Sequence, residues 1–237
     1  MSSTSRLGCY VVAGYRPWNR LTFDETIVRF PGEWHYVGSR EEFTVEMLRK
    51  VNPQYVFFLH WSWKVPMEII NQFTCVNFHM TDLPYGRGGS PLQNLIMRGH
   101  AQTKLSALQM TEEMDGGPVY LKEDLSLEGN AENIYRRASE LSAQMILQLI
   151  TNEITPMPQE GIPVIFKRRQ PHESELPEIT NIEQMYDFIR MLDAEGYPRA
   201  HVVRNGFKFE FSKPVLQAGS LVAQVAITGP EDKEKGS

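Results

Sequence analysis

Apolar and polar positions fall into short blocks whose period switches between about two and about 3.6 residues, the alternation of strands with amphipathic helices. Residues 6–13 form an apolar run ended by Gly14, a first buried strand, and residues 15–19 read as a loop at its carboxyl edge. Residues 34–38 form a second strand. Ser39 and Glu42 then have the spacing of a capping box before a helix that turns Phe43, Met47, Leu48 and Val51 inward and stops at Pro53. Residues 54–59 make the next strand, and Ile69, Ile70 and Phe73 mark a short helix after Pro66. Strands alternating with single helices predict an α/β domain with a mostly parallel, Rossmann-like sheet.

Residues 74–80 alternate with period two, so Asn77 and His79 project from one face of a strand and Val76 and Phe78 from the other. The strand breaks into Leu83-Pro84 and Gly86-Arg87-Gly88-Gly89, where glycines let backbone approach a bound molecule. Ser90, Pro91 and Gln93 then open a helix with Leu92, Leu95 and Ile96 inward, which Gly99 stops. Ligands of open α/β sheets sit beyond the carboxyl ends of strands, where Asn77, His79 and this loop lie. Alone, Asn77 and His79 equally fit a turn residue and a satisfied core histidine.

Residues 103–110 and 119–127 predict two further strands, joined by a loop that carries Asp115 among glycines. Asn130 opens a long helix with Ile134, Ala138, Leu141, Met145 and Leu149 on one stripe. Residues 155–178 are rich in proline and polar groups and read as a linker with one short strand at 164–167. Thr180 and Glu183 cap a last helix with Ile182, Met185, Tyr186, Ile189 and Leu192 inward, and Asn205-Gly206 marks a hairpin between 201–203 and 207–211, with a further strand at 221–227. The expected organisation is a catalytic domain over 1–165, a small α+β module over 166–229, and a charged, disordered tail over 230–237.

Composition narrows the function. The 237 residues are 41% hydrophobic and 22% charged with a net charge of −5, ordinary for a soluble protein and unlike a nucleic-acid coat. No apolar run approaches membrane-spanning length and the first residues lack a basic, apolar leader, so a cytoplasmic protein without membrane partner is expected. Cys9 and Cys75 fall in predicted strands with no metal-ligand spacing, and no metal is expected. A single glycine after the first strand is no dinucleotide fingerprint.

The string Asn77-x-His79-x-x-x-Leu83-Pro84, then Arg87-Gly88, Gly99-x-x-x-Thr103 and Met114-Asp-Gly-Gly-Pro-Val119 resembles the folate-dependent formyltransferases over residues 50–155. The resemblance implies an Asn77, His79 and Asp115 catalytic trio with N10-formyltetrahydrofolate as donor. Asn77 would donate to the developing oxyanion, His79 would take the proton of the attacking amine, and Asp115 would orient His79 directly or through water. It also implies a folate pocket along Trp63, Lys64 and Val65, with Met114 and Gly116 opposite. Lys64-Val65-Pro66 departs from the family's Leu-Pro turn there, and Trp61 and Trp63 fit a sandwich around a flat ring or packing under the sheet.

The stretch from Asp82 to Ile96 looks most like the sugar-nucleotide N-formyltransferases, particularly those acting on a UDP-linked 4-amino-4,6-dideoxy sugar of a pseudaminic-acid-type route, usually homodimers. Arg16, Trp18, Arg87, Gly88 and Lys104 are then candidate substrate contacts, since cations suit a diphosphate. A dTDP-linked sugar, methionyl-tRNA or a non-catalytic folate- or sugar-binding role are the alternatives. Against tRNA, residues 163–237 carry ten Lys plus Arg and eleven Asp plus Glu.

Overall fold

The computed structural model describes residues 8–229. The expected tail and the first two residues of the expected first strand lie outside them. The described residues divide into two compact units: 8–91 with 103–125 and 135–166, and 92–102 with 126–134 and 167–229.

The first unit is built on a six-stranded sheet. Its strands are β1 (Cys9–Ala13), β2 (Glu33–Val37), β3 (Tyr55–Phe58), β4 (Cys75–His79), β6 (Gln102–Gln109) and β7 (Val119–Ser126), in the order β2-β1-β3-β4-β6-β7. The first four are parallel and β6 runs antiparallel to β4. Helices α1 (Pro17–Glu25), α2 (Val45–Val51) and α3 (Met67–Gln72) make the crossovers. Buried Val11, Ala13, Val37, Val56, Phe58 and Cys75 alternate along their strands to build one face of the sheet, and Leu48 and Ile69 pack against it. Burial pushes the Cys75 thiol up to about 12, so it is an inert core side chain.

Several expectations are corrected. The predicted loop at 15–19 turns into α1 at Pro17, whose fixed φ suits the first helical position, and Trp18, Asn19, Thr22 and Phe23 bury its inner face. Helix α2 is capped by Thr44, which accepts from the Met47 amide at 3.1 Å; Ser39 and Glu42 instead close a turn, the Glu42 amide donating to Ser39 Oγ at 3.3 Å. Tyr85–Gly88, read as a ligand-facing loop, forms strand β5, paired in parallel with β8 (Val164–Phe166) from the supposed linker. A Cβ on Gly88 (φ +102°) would lie 2.5 Å from the Phe166 carbonyl oxygen, and one on Gly86 (φ +78°) 2.7 Å from the Phe166 ring. These glycines therefore admit another segment of the chain.

Helix α4 (Pro91–Met97) follows β5, and α5 (Ala131–Thr151) buries Ile134, Ala138, Met145 and Leu149 of the predicted stripe. In the second unit α6 (Ile182–Arg190) is capped by Asn181, one residue later than expected, whose side chain accepts from the Glu183 and Gln184 amides. It lies on the antiparallel sheet β9 (His201–Arg204), β10 (Phe207–Gln217) and β11 (Ser220–Thr228), in which Asn205-Gly206 makes the predicted hairpin turn. Buried Asp193 accepts from Asn130 Nδ2 at 2.9 Å and the Lys213 amide at 2.8 Å, and also pairs with Arg199. No described helix is long and apolar enough to cross a membrane.

Candidate active site

Strand β4 runs two residues beyond its parallel neighbour β3: Phe58, the last residue of β3, is the Cα partner of Asn77. The strand order reverses between β1 and β3, which makes the carboxyl ends of these strands the switch-point crevice of the sheet. Asn77 and His79 stand one strand away, at the same carboxyl edge and on one face of β4, as the alternation predicts.

Asp115 comes to them from the loop between β6 and β7, with its backbone in the left-handed region at φ +51°. Its carboxylate is held at both oxygens. Oδ1 accepts from Asn77 Nδ2 at 3.3 Å and Oδ2 from the Gly88 amide at 3.0 Å. His79 Nδ1 lies 3.6 Å from Asp115 Oδ2, an electrostatic contact beyond hydrogen-bond length, with the two side chains only 7% and 12% exposed. His79 Nε2 is 2.8 Å from the Gly86 carbonyl oxygen. A carbonyl only accepts, so Nε2 carries the hydrogen of the neutral ring and Nδ1 holds the free lone pair. A proton arriving at Nδ1 meets the Asp115 carboxylate, and the cation that results keeps its hydrogen bond to Gly86. Asn77 has a second amide hydrogen not used on Asp115.

A second layer fixes the Asp115 loop, and most of it carries no signal in the sequence. Gln159 Nε2 donates to the carbonyl oxygens of Asp115 at 2.7 Å and Gly117 at 2.8 Å. Its Oε1 accepts from Arg87 Nε at 3.0 Å, and Arg87 Nη1 pairs with Glu113 at 2.6 Å. Gly117 permits the crossing, since a Cβ there would lie 1.8 Å from the Gln109 carbonyl oxygen. Gln159 lies in a proline-rich segment without periodicity, where no pattern marks a functional side chain.

The remaining expected contacts divide. Gly88 supplies an amide to Asp115, and Arg87, 9% exposed, braces the loop rather than standing free for a diphosphate. Trp18 is 1% exposed and stacks on Tyr135 at 5.3 Å, so its indole belongs to the core. Lys104 pairs with Asp124 at 2.7 Å on the surface, a hydrogen bond that raises its pKa. Arg16 sits at the start of α1 with its guanidinium 4.6 Å over the Tyr15 ring.

Around the switch point, Trp61 and Trp63 meet edge to face at 4.7 Å and 72°, and Tyr15 lies 4.5 Å from Trp63. The two indoles thus form a packed corner with Tyr15 and leave no parallel slot between them for a flat ring. Val65 is buried in the core, Lys64 and Met114 are exposed, and Gly116 turns the Asp115 loop through its amide to Glu113 O at 3.1 Å. The Trp61 Nε1 hydrogen is buried with no acceptor in the protein, a donor of the kind a pterin amide would engage, so the residues present fit a folate. Beside this corner His60 packs against Trp18 and Tyr135, at 5.7 and 4.4 Å, and burial with the Arg16 charge pushes its pKa down to about 3.

Much of the chain is similar to known proteins. Residues 23–150 match the family model described as Formyl transferase, and residues 171–228 match that of the methionyl-tRNA formyltransferase C-terminal domain. The methionyl-tRNA formyltransferase of Caldicellulosiruptor saccharolyticus is 31% identical over 130 residues, 52% of this chain and 41% of that protein. The chain spans less than half the length of the curated relatives it matches. Among solved structures, a methionyl-tRNA formyltransferase from Clostridium thermocellum is 42% identical, with TM-score 0.88 over 93% of this chain and 98% of that one. Two others, at 16% identity, share the fold alone. They are HypX from Aquifex aeolicus in complex with tetrahydrofolic acid, with TM-score 0.69 over 89% of this chain and 38% of that one, and a 4-N formyltransferase from Francisella tularensis, with TM-score 0.63 over 91% and 96%. With a family model spanning more than half its length and the Asn77, His79 and Asp115 side chains gathered at the carboxyl end of β4, the chain belongs to the formyl transferase family.

Proposed function

We propose that this protein moves a formyl group from N10-formyltetrahydrofolate to a primary amine, with Asn77, His79 and Asp115 as the reacting machinery. The observation that carries the reading is the Nδ1 lone pair of His79 beside Asp115, next to an Asn77 amide with a hydrogen to spare. The amine nitrogen bonds to the formyl carbon, and His79 Nδ1 takes the proton it sheds. Asn77 Nδ2 donates to the oxyanion that develops on the formyl oxygen. As the bond from carbon to N10 breaks, the proton returns from His79 to the leaving nitrogen. Asp115, fixed by Asn77 and the Gly88 amide, stabilises the imidazolium in between. The Tyr15, Trp61 and Trp63 corner, with its unpartnered Trp61 Nε1, receives the folate.

For the acceptor, the 42% identity to a methionyl-tRNA formyltransferase across nearly the whole of both chains favours the amino group of methionyl-tRNA. The second reading is a nucleotide-linked 4-amino sugar, UDP-linked first, with the protein acting as a cytoplasmic homodimer. A net charge of −5 and a C-terminal region with no excess of Lys and Arg favour it, because RNA binding draws on phosphate neutralisation.

The test is an assay of the purified protein with N10-formyltetrahydrofolate against methionyl-tRNA and a panel of UDP- and dTDP-linked amino sugars, following product mass, with His79→Ala as control. Formylation of methionyl-tRNA alone, lost in the variant, supports the first reading; formylation of a sugar alone selects the second. Folate binding without formylation of any acceptor would overturn both.

A further inference from the structure

Cys9, Glu33 and His35 form a cluster at the amino-terminal ends of β1 and β2, the opposite end of the strands from Asn77 and His79. Their ligand atoms, the Cys9 thiol, a Glu33 carboxylate oxygen and an imidazole nitrogen of His35, all lie within 4.8 Å of one another. The pairing of the strands puts them there. Cys9 and Glu33 are Cα partners in the parallel register, and His35 follows Glu33 by two residues, so all three project from one face. It is the face that Val11, Ala13 and Val37 use for the core further along the same strands. Where the core runs out, apolar side chains give way to three groups that bind metals.

The geometry points to a binding site for one borderline-soft divalent cation, Zn2+ in the first place, held by Cys9 Sγ, Glu33 and His35 with solvent as the fourth ligand. Bonds of about 2.0–2.2 Å in a tetrahedral ion set nitrogen and oxygen ligands roughly 3.4 Å apart. His35 Nε2 and Glu33 Oε1 stand at 3.2 Å. A thiolate, an imidazole and a carboxylate together match zinc rather than calcium or magnesium, which take oxygen ligands. All three residues belong to paired strands, so the ligands are carried by backbone already fixed in position. β2 is an edge strand, Glu33 is exposed and His35 half-buried, which leaves an open approach for the ion.

The experiment is a titration of the chelator-treated, full-length protein with Co2+, reading the near-ultraviolet thiolate-to-cobalt charge-transfer band, followed by displacement with Zn2+. The band is expected to saturate at one equivalent of Co2+ and to vanish on addition of Zn2+. Cys9→Ser is expected to abolish it. His35→Gln, on the edge strand where folding is least at risk, is expected to weaken binding by roughly tenfold or more, since loss of even an outer-shell partner costs about that much. Far-ultraviolet circular dichroism checks that each variant is folded. Formyl transfer is expected to be the same with and without the metal, so this site and the proposed activity stand or fall separately. Absence of the band in the wild-type protein, its persistence in Cys9→Ser, or full affinity in folded His35→Gln would each overturn the assignment.

Discussion

Gln159 is the side chain whose replacement tests the site most sharply, because it touches neither His79 nor Asn77 in the contacts described above. In Gln159→Leu the two donations to the Asp115 and Gly117 carbonyls disappear, and so does the acceptor for Arg87 Nε. Each hydrogen bond contributes about 0.5–1.5 kcal/mol net, and Gln159 is half-buried, so water replaces part of the loss. The loop then gives up about 2–3 kcal/mol of support. It must still hold Asp115 at φ +51°, a conformation that costs a non-glycine residue about 1 kcal/mol or more. With about 2–3 kcal/mol of support gone and the strain at Asp115 kept, other arrangements displace the one that aims the carboxylate at His79, and kcat is expected to fall by roughly tenfold to a hundredfold. KM for folate should change much less, since Tyr15, Trp61 and Trp63, the proposed folate corner, are untouched.

Gln159→Glu separates the two halves of the role. It keeps an acceptor for Arg87 but turns oxygens toward two carbonyls, and its kcat should be no better than that of Gln159→Leu. The assay is steady-state formyl transfer on the acceptor found active, alongside urea unfolding to confirm that the fold survives. A folded Gln159→Leu protein with kcat within about twofold of wild type would refute the claim that this brace sets the Asp115 geometry.

Three other outcomes are expected. Asn77→Ala should lose about a hundred- to a thousandfold in kcat, the range for removing one oxyanion donor, measured in the same assay. Gly88→Ala should destabilise the protein by more than about 2 kcal/mol in urea unfolding, because its Cβ meets the Phe166 carbonyl oxygen and its φ is positive. The depressed pKa of His60 means the folded state binds fewer protons there than the unfolded chain. Its contribution to stability is complete above the ordinary value of 6.5 and is lost as pH falls toward about 3, at up to about 1.4 kcal/mol per pH unit. His60→Asn, which tolerates the φ of +53°, should remove that part of the slope in melts run across the acid range.

The elements with a strong period were legible. β3, β4 and α5 appear within one or two residues of their expected places, because a buried face repeats its signal along the whole element. The Asn77 and His79 pair followed from strand alternation alone, and the Asp115 position from the family resemblance. What stayed hidden depends on register between distant segments. Glycines at 86 and 88 look the same in sequence whether they admit a ligand or β8. Trp18 and Arg87 are residue types that suit a substrate, yet the stacking of Trp18 on Tyr135 and the pairing of Arg87 with Glu113 arise from segments over a hundred and about twenty-five residues away respectively. Cys9 and Glu33 are likewise adjacent only through the sheet.

The pairing of β5 with β8 has a consequence for when the site comes into being. The match to the formyl transferase family ends at residue 150, yet the turn that presents the Gly86 carbonyl to His79 and the Gly88 amide to Asp115 is paired with residues 164–166, and the loop that carries Asp115 is tied to residue 159. A chain growing from the ribosome has all three side chains of the proposed site once Asp115 has been made, but it waits some fifty residues more for the strand that aligns them. A nascent protein cut off at residue 150 would hold Asn77, His79 and Asp115 and lack their alignment, so the geometry of the proposed site arrives with the segment that resembled a linker.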